Sequence, residues 1–457
     1  MSRKLVKAEN LEGVLQALKV RPLTKDQLEE FYVNTIKGRG DNPIKTIKRL
    51  IMNEPKGQQH ILLSGYRGCG KTTELNYLSK DLEKDILILN FSIIEELDPV
   101  TITHIDLYIV LLVKLLKIAE DRSLDIDSKL LKSVDLWTNV EALKETTTLK
   151  TEASAEIGGE ASTGIPGLLK KLLRIKGVVK AGGEYKKEVT KKIEPTLTEL
   201  IFNCNNLIEE IRGKLWRDGK GIKGMLIIIE DLDKLDLLKA ENLFYNYSSQ
   251  LTQIQTNVIF TFPISLRYHS NFTTIKNFYS DSVELPMIKV FNKDGSANEI
   301  GRGILKEILE ERMDLDLFEE GLLESFLVKS GGCIRDLFRM ILIAALKTLD
   351  YEKPKIERSD YCKAYWRLRN EYENSIAERR TELETITYEE YIQSLVDTYD
   401  SPDKKPPNNN AVLNLRQNLC ILSYNDTQWF DIHPVIKDFL IDKGRITVEG
   451  DDKHRCY

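Results

Sequence analysis

The run Gly65-Tyr66-Arg67-Gly68-Cys69-Gly70-Lys71-Thr72 combines three glycines, a lysine and a hydroxyl side chain at a spacing suited to holding phosphate. Glycines at the turning points let backbone N–H groups face an anion, and a helix opening at Lys71 presents its positive dipole end. The apolar run His60–Leu63 reads as a strand feeding this loop, and Thr72-Thr73-Glu74-Leu75 opens an amphipathic helix after it. In that context Lys71 is expected on the β- and γ-phosphates of a nucleoside triphosphate, with the Thr72 hydroxyl on Mg²⁺. A second reactive set closes the apolar run Leu226–Ile229, namely Glu230-Asp231-Leu232-Asp233-Lys234. A strand ending in carboxylates beside such a loop holds the metal shell and orients an attacking water. Glu230 takes the metal-associated position and Asp231 that of the catalytic acid. The usual order is Asp then Glu; the reversal, with a shorter acid orienting water, predicts slow turnover.

Two further positions fall in the expected order. Asn257–Phe262 reads as another core strand, from which Thr261 is expected to turn a hydroxyl toward the γ-phosphate. Ser330-Gly331-Gly332-Cys333-Ile334-Arg335 starts a helix whose Arg335 suits a phosphate, since a planar guanidinium matches its oxygens. An Asn/Thr-Lys-x-Asp element that would read guanine is missing from the sequence, so ATP/ADP is the expected ligand.

The elements that must position these groups alternate. His60–Leu63, Ile86–Phe91, Met225–Ile229, Val258–Phe262 and Val283–Leu285 read as strands of a mostly parallel sheet, separated by helical patterns. Residues 1–30 form an N-terminal helical segment and 31–290 the core. Helices are expected over Thr101–Ala119 and Ser128–Leu143, followed by an insertion at about 146–192. That insertion carries seven glycines between Gly158 and Gly183, and nine Lys or Arg against two Glu over Ile165–Lys192. It is expected to be largely non-helical, part β-hairpin and part short basic helix around Leu168–Leu173, and to offer a surface to a protein, nucleic acid or membrane. Residues 291–352 read as a separate helical lid. Residues 353–457 read as charged helices, a Pro402–Asn410 linker, then helix (Val412–Leu419), hairpin (Cys420–Phe430) and helix (Val435–Leu440), the order of a winged helix.

Composition narrows the class. At 457 residues, 42% hydrophobic and 30% charged, the chain has the profile of a globular protein with several cores, and a net charge of -5 excludes coating nucleic acid by overall charge. Its six cysteines are scattered without zinc spacing, so they are expected to be reduced core residues of a cytoplasmic protein. The longest apolar runs, Leu107–Leu116 and Val258–Leu266, are too short for a transmembrane segment.

Taken together, these motifs resemble those of AAA+-related ATPases, and within them the STAND class of switch NTPases. Gly38-Arg39-Gly40-Asp41 after Phe31-Tyr32-Val33 looks like the element preceding the P-loop that packs near adenine. Gly331–Arg335 is similar to the sensor-2 region of AAA+ lids. Ile432-His433-Pro434-Val435 resembles the Met-His-Asp motif of STAND winged helices, with Pro434 where Asp is usual. The resemblance implies an α/β fold: a three-layer P-loop NTPase sandwich with a mostly parallel sheet, an all-α lid and a C-terminal winged-helix domain. By the same resemblance His433 would touch phosphate in a closed ADP state, nucleotide would control conformation or homo-oligomerisation, and a separate effector would provide the output, as in antiphage defence. Two other readings stand beside it. One is a DNA-binding initiator or loader using the winged helix and basic insertion, although the helix Val435–Leu440 offers only Lys437. The other is a scaffold that binds nucleotide without hydrolysing it.

Overall fold

The computed structural model describes residues 5–138, 164–217, 221–380, 384–425, 429–447 and 453–456. Five strands, β1 (His60–Gly65), β2 (Ile86–Ser92), β3 (Gly224–Glu230), β4 (Asn257–Phe262) and β5 (Asp281–Leu285), form one sheet in the order β2-β3-β4-β1-β5. Every pairing is parallel, with Leu63 opposite Thr261 and Val283, and Ile227 opposite Val258. Helices cover the sheet, so β1, β3 and β4 are buried along their whole length and consist of near-continuous apolar runs. All five expected strands are present. Because β1 lies between β4 and β5, with β3 next to β4, the loops leaving β1 and β3 emerge at the same edge.

The insertion corrects the sequence reading. Ile165–Ala181 and Gly183–Ile193 are two consecutive helices; the short basic helix expected around Leu168–Leu173 runs on over the whole of the first, and no hairpin is formed among these residues. Leu168, Leu169, Leu172, Ile175, Val178 and Val179 recur at helical spacing and are buried, packing the first helix on His104–Asp121. Gly177 sits inside that helix with open space around it, and Gly182 makes the break between the two. Three of the lysines that made this segment look like an anion-binding surface are held by acids packed against it. Lys171 meets Asp135, Lys176 meets Glu96, and Lys186 forms a buried pair with Asp106 at 2.6 Å. The remainder of the insertion, 146–163, lies outside the described residues, as does the part past 138 of the helix expected over Ser128–Leu143, whose described part is Ser128–Thr138.

Beyond the sheet, Glu299–Glu310, Leu323–Lys329 and Ile334–Asp350 form the helical lid. One apolar core runs from the N-terminal helix Leu11–Ala17 through the lid to the C-terminal unit and reaches Leu75, Leu78 and Leu82 of the P-loop helix. That C-terminal unit is helix Asn410–Gln417, the antiparallel strands Ile421–Tyr424 and Trp429–Ile432, and helix Pro434–Asp442, a winged-helix arrangement.

The cysteines depart from expectation at one pair. Cys69, Cys204, Cys333 and Cys420 are buried and free, but Cys362 and Cys456 are joined in a disulfide. The C-terminal residues are brought to helix Arg358–Asn374 by Tyr361, whose hydroxyl donates to His454 O at 2.6 Å. Among the described residues no helix is long and apolar enough to cross a membrane.

Candidate active site

The loop between β1 and helix Lys71–Leu82 turns on Gly68 (φ 85°) and Gly70 (φ 105°), in a region that side-chain-bearing residues rarely adopt. Gly68 is also a point of close approach. A Cβ there would lie 2.4 Å from Arg335 Cβ at the start of the lid helix, whose backbone N–H donates to Gly68 O. The lid is thus seated on the phosphate loop itself.

Lys71 is buried and turned back over the loop. Its Nζ donates to Gly65 O at 2.7 Å and Tyr66 O at 3.0 Å, and lies 2.9 Å from Asp233 Oδ2. Burial works against the ammonium, but the charge of Asp233 outweighs it and holds the pKa above the ordinary lysine value. Asp233, which the sequence reading passed over, is therefore the carboxylate facing Lys71. It lies in a 3-10 turn, Leu232–Lys234, that follows Asp231 in a left-handed conformation (φ 68°). A non-glycine residue in that region is uncommon and costs about 1 kcal/mol. The turn is braced by Thr261, whose hydroxyl donates to Ile229 O and accepts from Leu232 N. Thr261 lines the cleft, but its only hydrogen is engaged, so it braces β3 where a γ-phosphate contact was expected.

The other two acids separate by environment. Glu230 is buried and accepts from the Asn90 amide at 2.7 Å; burial, the larger effect, raises its pKa. Asp231 accepts from Ser92 Oγ and pairs with Lys234 at 2.6 Å. Thr72 stands in the first turn of the P-loop helix and Glu230 ends β3, and both offer the hard oxygen that Mg²⁺ prefers. They fit the expected ion.

A cleft of about 420 Å³ opens over this cluster, lined by Gly68, Gly70, Lys71, Thr72, Thr73, Asp231 and Asp233 and by Arg67 and Arg335. Its remaining wall mixes apolar side chains, Leu23, Phe31, Tyr32 and Val33 from the chain ahead of β1 and Ile308 and Phe338 from the lid, with the polar Arg21, Thr35, Arg39 and Arg312. Glu74 stands within it as a buried carboxylate accepting from Tyr32 (3.0 Å) and Thr35 (3.1 Å). Arg39 is buried and fully engaged. It donates to Thr35 Oγ1, Cys69 O and Pro286 O, tying the N-terminal segment to the phosphate loop and the end of β5. Tyr66 and Cys69 are buried and, with Gly65, stand behind the loop, not among the cleft-lining residues.

His433 is placed differently from its expected phosphate contact. The ring is completely buried, stacked on Tyr372 with centroids 4.4 Å apart, and its Nε2 faces Ser330 O at 3.3 Å. Its Nδ1 accepts from Val435 N at the start of the last helix. It does not line the cleft. It touches the Gly331 corner, where an added Cβ would meet the ring at 3.0 Å, four residues before Arg335.

No protein-family model matches the sequence, and no curated protein matches it. Among solved structures, the chain is similar to a Walker-type ATPase of Pyrococcus abyssi, at 14% identity over 93% of this chain and 99% of that one, with a TM-score of 0.38. It is also similar to the ORC2 protein of Aeropyrum pernix in its ADPNP-ADP complexes, at 10% identity over 90% and 95%, TM-score 0.38. A third likeness is to the RuvB Holliday junction branch migration motor of Thermotoga maritima, at 10% identity over 92% and 98%, TM-score 0.35. Likenesses this distant assign no activity, so a functional reading rests on the residues.

Proposed function

We propose that this chain is an ATP-binding, slowly hydrolysing P-loop ATPase of the AAA+/STAND kind, in which the state of the nucleotide cleft is passed to the winged helix. The observation that carries the reading is the buried Lys71–Asp233 pair under a cleft walled by the N-terminal segment, the core and the lid. Lys71 and the loop amides would bind the β- and γ-phosphates, with Arg335 reaching them from the lid. Thr72 and Glu230 would hold Mg²⁺, which supplies charge neutralisation at the phosphate oxygens. Asp231, positioned by Ser92 and Lys234, orients the attacking water and takes its proton. The cleft couples to the C-terminal unit through a short path, from Gly68 to Arg335, along Ser330–Ile334, to His433. By the resemblance to STAND switches, the output is a change of domain arrangement or oligomeric state acting on a separate effector, in a setting such as antiphage defence.

A duplex-binding initiator or loader is the second reading, favoured by the helix–hairpin–helix unit at 410–442. The internal pairing of Lys171, Lys176 and Lys186 takes part of the cationic surface of the insertion, while Lys170, Arg174, Lys180, Lys187, Lys191 and Lys192 stay exposed and could neutralise phosphates.

Phosphate release by the wild type and by Asp231→Asn tests the proposal. The expected result is turnover above background that Asp231→Asn abolishes while ATP binding is kept. Normal turnover in Asp231→Asn together with loss in Glu230→Gln would exchange the roles of the two acids. No release from the wild type would leave the scaffold reading.

A further inference from the structure

Arg312 stands in the wall of the same cleft, just after the lid helix Glu299–Glu310, and the phosphate chemistry above makes no use of it. Its backbone is pinned, since Arg312 N donates to Leu309 O and Arg312 O accepts from Ala8 N, both at 2.8 Å. The side chain is only 8% exposed, and its guanidinium lies 5.0 Å from the centre of the Phe338 ring. Among the described residues it has no carboxylate partner, and Nε is buried with no acceptor. Of the other buried arginines, Arg39 is satisfied by three oxygens and Arg369 by Glu373 and Asp442, while Arg416, whose Nε also lacks an acceptor, lies over the Tyr268 and Phe430 rings away from the cleft; among the described residues Arg312 is the one of this kind that lines the cleft.

A guanidinium offers five donors, accepts nothing and stays charged, so burying one unpaired costs more than stacking on an aromatic ring returns. Burial alone, with no acid to offset it, lowers the pKa of Arg312 to about 10. Such a group in a ligand cleft takes its acceptor from the ligand. The phosphate-facing part of the wall already holds Arg67, Lys71 and Arg335, whereas the ring packed against Arg312, Phe338, belongs to the apolar part.

We propose that Arg312 is a specificity-determining residue of this cleft, donating to acceptor atoms on the nucleoside portion, ribose or base, of a bound nucleotide. The proposal rests on the nucleotide reading above. It explains why a cation with no acid beside it stands in the wall next to Phe338, and it makes the nucleoside contribute to affinity beyond what the phosphates supply.

The test compares ATP, 2′-deoxyATP and inorganic tripolyphosphate by calorimetry on the full chain, as wild type, Arg312→Met and Arg312→Lys. Arg312→Met should keep tripolyphosphate affinity and lose about ten- to a hundredfold for ATP, the worth of hydrogen bonds to a charged group. Its melting temperature should not fall, because an unpaired buried charge has been replaced by an apolar chain of similar length. If the wild-type preference for ATP over 2′-deoxyATP vanishes in Arg312→Met, the acceptor is on the ribose; if it persists while ATP affinity falls, it is on the base. Arg312→Lys keeps the charge but loses the fork, so it should show a smaller ATP loss with tripolyphosphate unchanged, and it carries the test should the Met variant not fold. Unchanged ATP affinity in both variants overturns the proposal and leaves Arg312 a packing residue. Equal losses for ATP and tripolyphosphate also overturn it, since the contact would then be to phosphate. A wild type that binds neither ligand overturns the nucleotide reading itself, and this proposal with it.

Discussion

Lys71 Nζ lies 2.9 Å from Asp233 Oδ2, with both side chains buried at the mouth of the phosphate loop. Asp233 is three residues past Glu230, beyond the two acids whose positions drew attention in the sequence. Its place follows from the left-handed residue at Asp231 and the tight turn after it, which carry the chain back toward the loop. A phosphate arriving at Lys71 would compete with Asp233 for the same ammonium.

Asp233→Asn should therefore lower stability, because it leaves a buried ammonium without its counter-charge. Such losses run to 3–5 kcal/mol, and about 3 kcal/mol is expected here since the Gly65 and Tyr66 carbonyls remain. ATP should restore more melting temperature to this variant than to the wild type, because it supplies the missing negative charge. A thermal melt with and without ATP checks this, and identical ATP-induced shifts would contradict the competition.

His433 sits at the junction of lid and winged helix, and its burial pushes the imidazole down to about 4, with Asp336 and the Ser330 carbonyl opposing and Lys329 and Arg335 reinforcing. The folded value lies below the ordinary 6.5, so the unfolded chain takes the proton first. The stability tied to this neutral ring is present above pH 6.5 and is lost as pH falls toward 4, by roughly 3 kcal/mol at the most. His433→Ala should flatten that part of the stability–pH curve and lower the melting temperature at neutral pH. ADP and ATP affinities should shift by the same factor, since the ring touches Ser330 and Gly331 and does not line the cleft. A selective loss of ADP affinity would restore a direct phosphate contact.

Gly331→Ala tests the same junction from the other side. Gly331 has φ 60°, and an added methyl would meet the His433 ring and Leu422 Cδ1 at 3.0 Å. Strain and overpacking together should cost about 1–3 kcal/mol. The loss should be local, seen as faster hydrogen exchange in Pro434–Asp442 with the β1–β5 sheet unaffected. Uniformly raised exchange across the sheet would show that the junction is not a separable contact.

The Cys362–Cys456 bond closes a loop spanning 94 residues. Chain-entropy reasoning gives about 2–4 kcal/mol for such a bond. The low end is expected, because Tyr361 and Arg358 also hold His454 O and Arg455 O. Cys456→Ser and reducing agent should lower the melting temperature by the same amount, and reductant should have no further effect on the variant. Insensitivity of the wild type to reductant would contradict the bond.

The parallel sheet and the phosphate loop could be read in advance because each is a local pattern: apolar runs of strand length, and a strand–glycine loop–helix sequence. The helix–hairpin–helix order at the C-terminus was legible for the same reason. The insertion was misread because Gly167, Gly177, Gly182 and Gly183 look like loop punctuation. The leucines and valines at helical spacing over Leu168–Val179 were the stronger signal, and burial against His104–Asp121 outweighs the helix cost of the two glycines within it, Gly167 and Gly177. Asp233 stands in the acidic run after β3, but its partner, like those of Glu74 and Arg312, could not be read locally, since each acquires its neighbours from a different segment, Lys71, Tyr32 with Thr35, and Phe338. The positions of Thr261 and His433 followed the expected order, but their hydrogen-bond partners depend on tertiary packing.

The central claim is that Lys71 carries the phosphates of a bound nucleotide, and titrating ATP into wild type and Lys71→Ala by calorimetry tests it most directly. The account predicts saturable ATP binding by the wild type, and its loss in Lys71→Ala with a folded-state circular dichroism spectrum retained. Equal ATP affinity in the two proteins would contradict it.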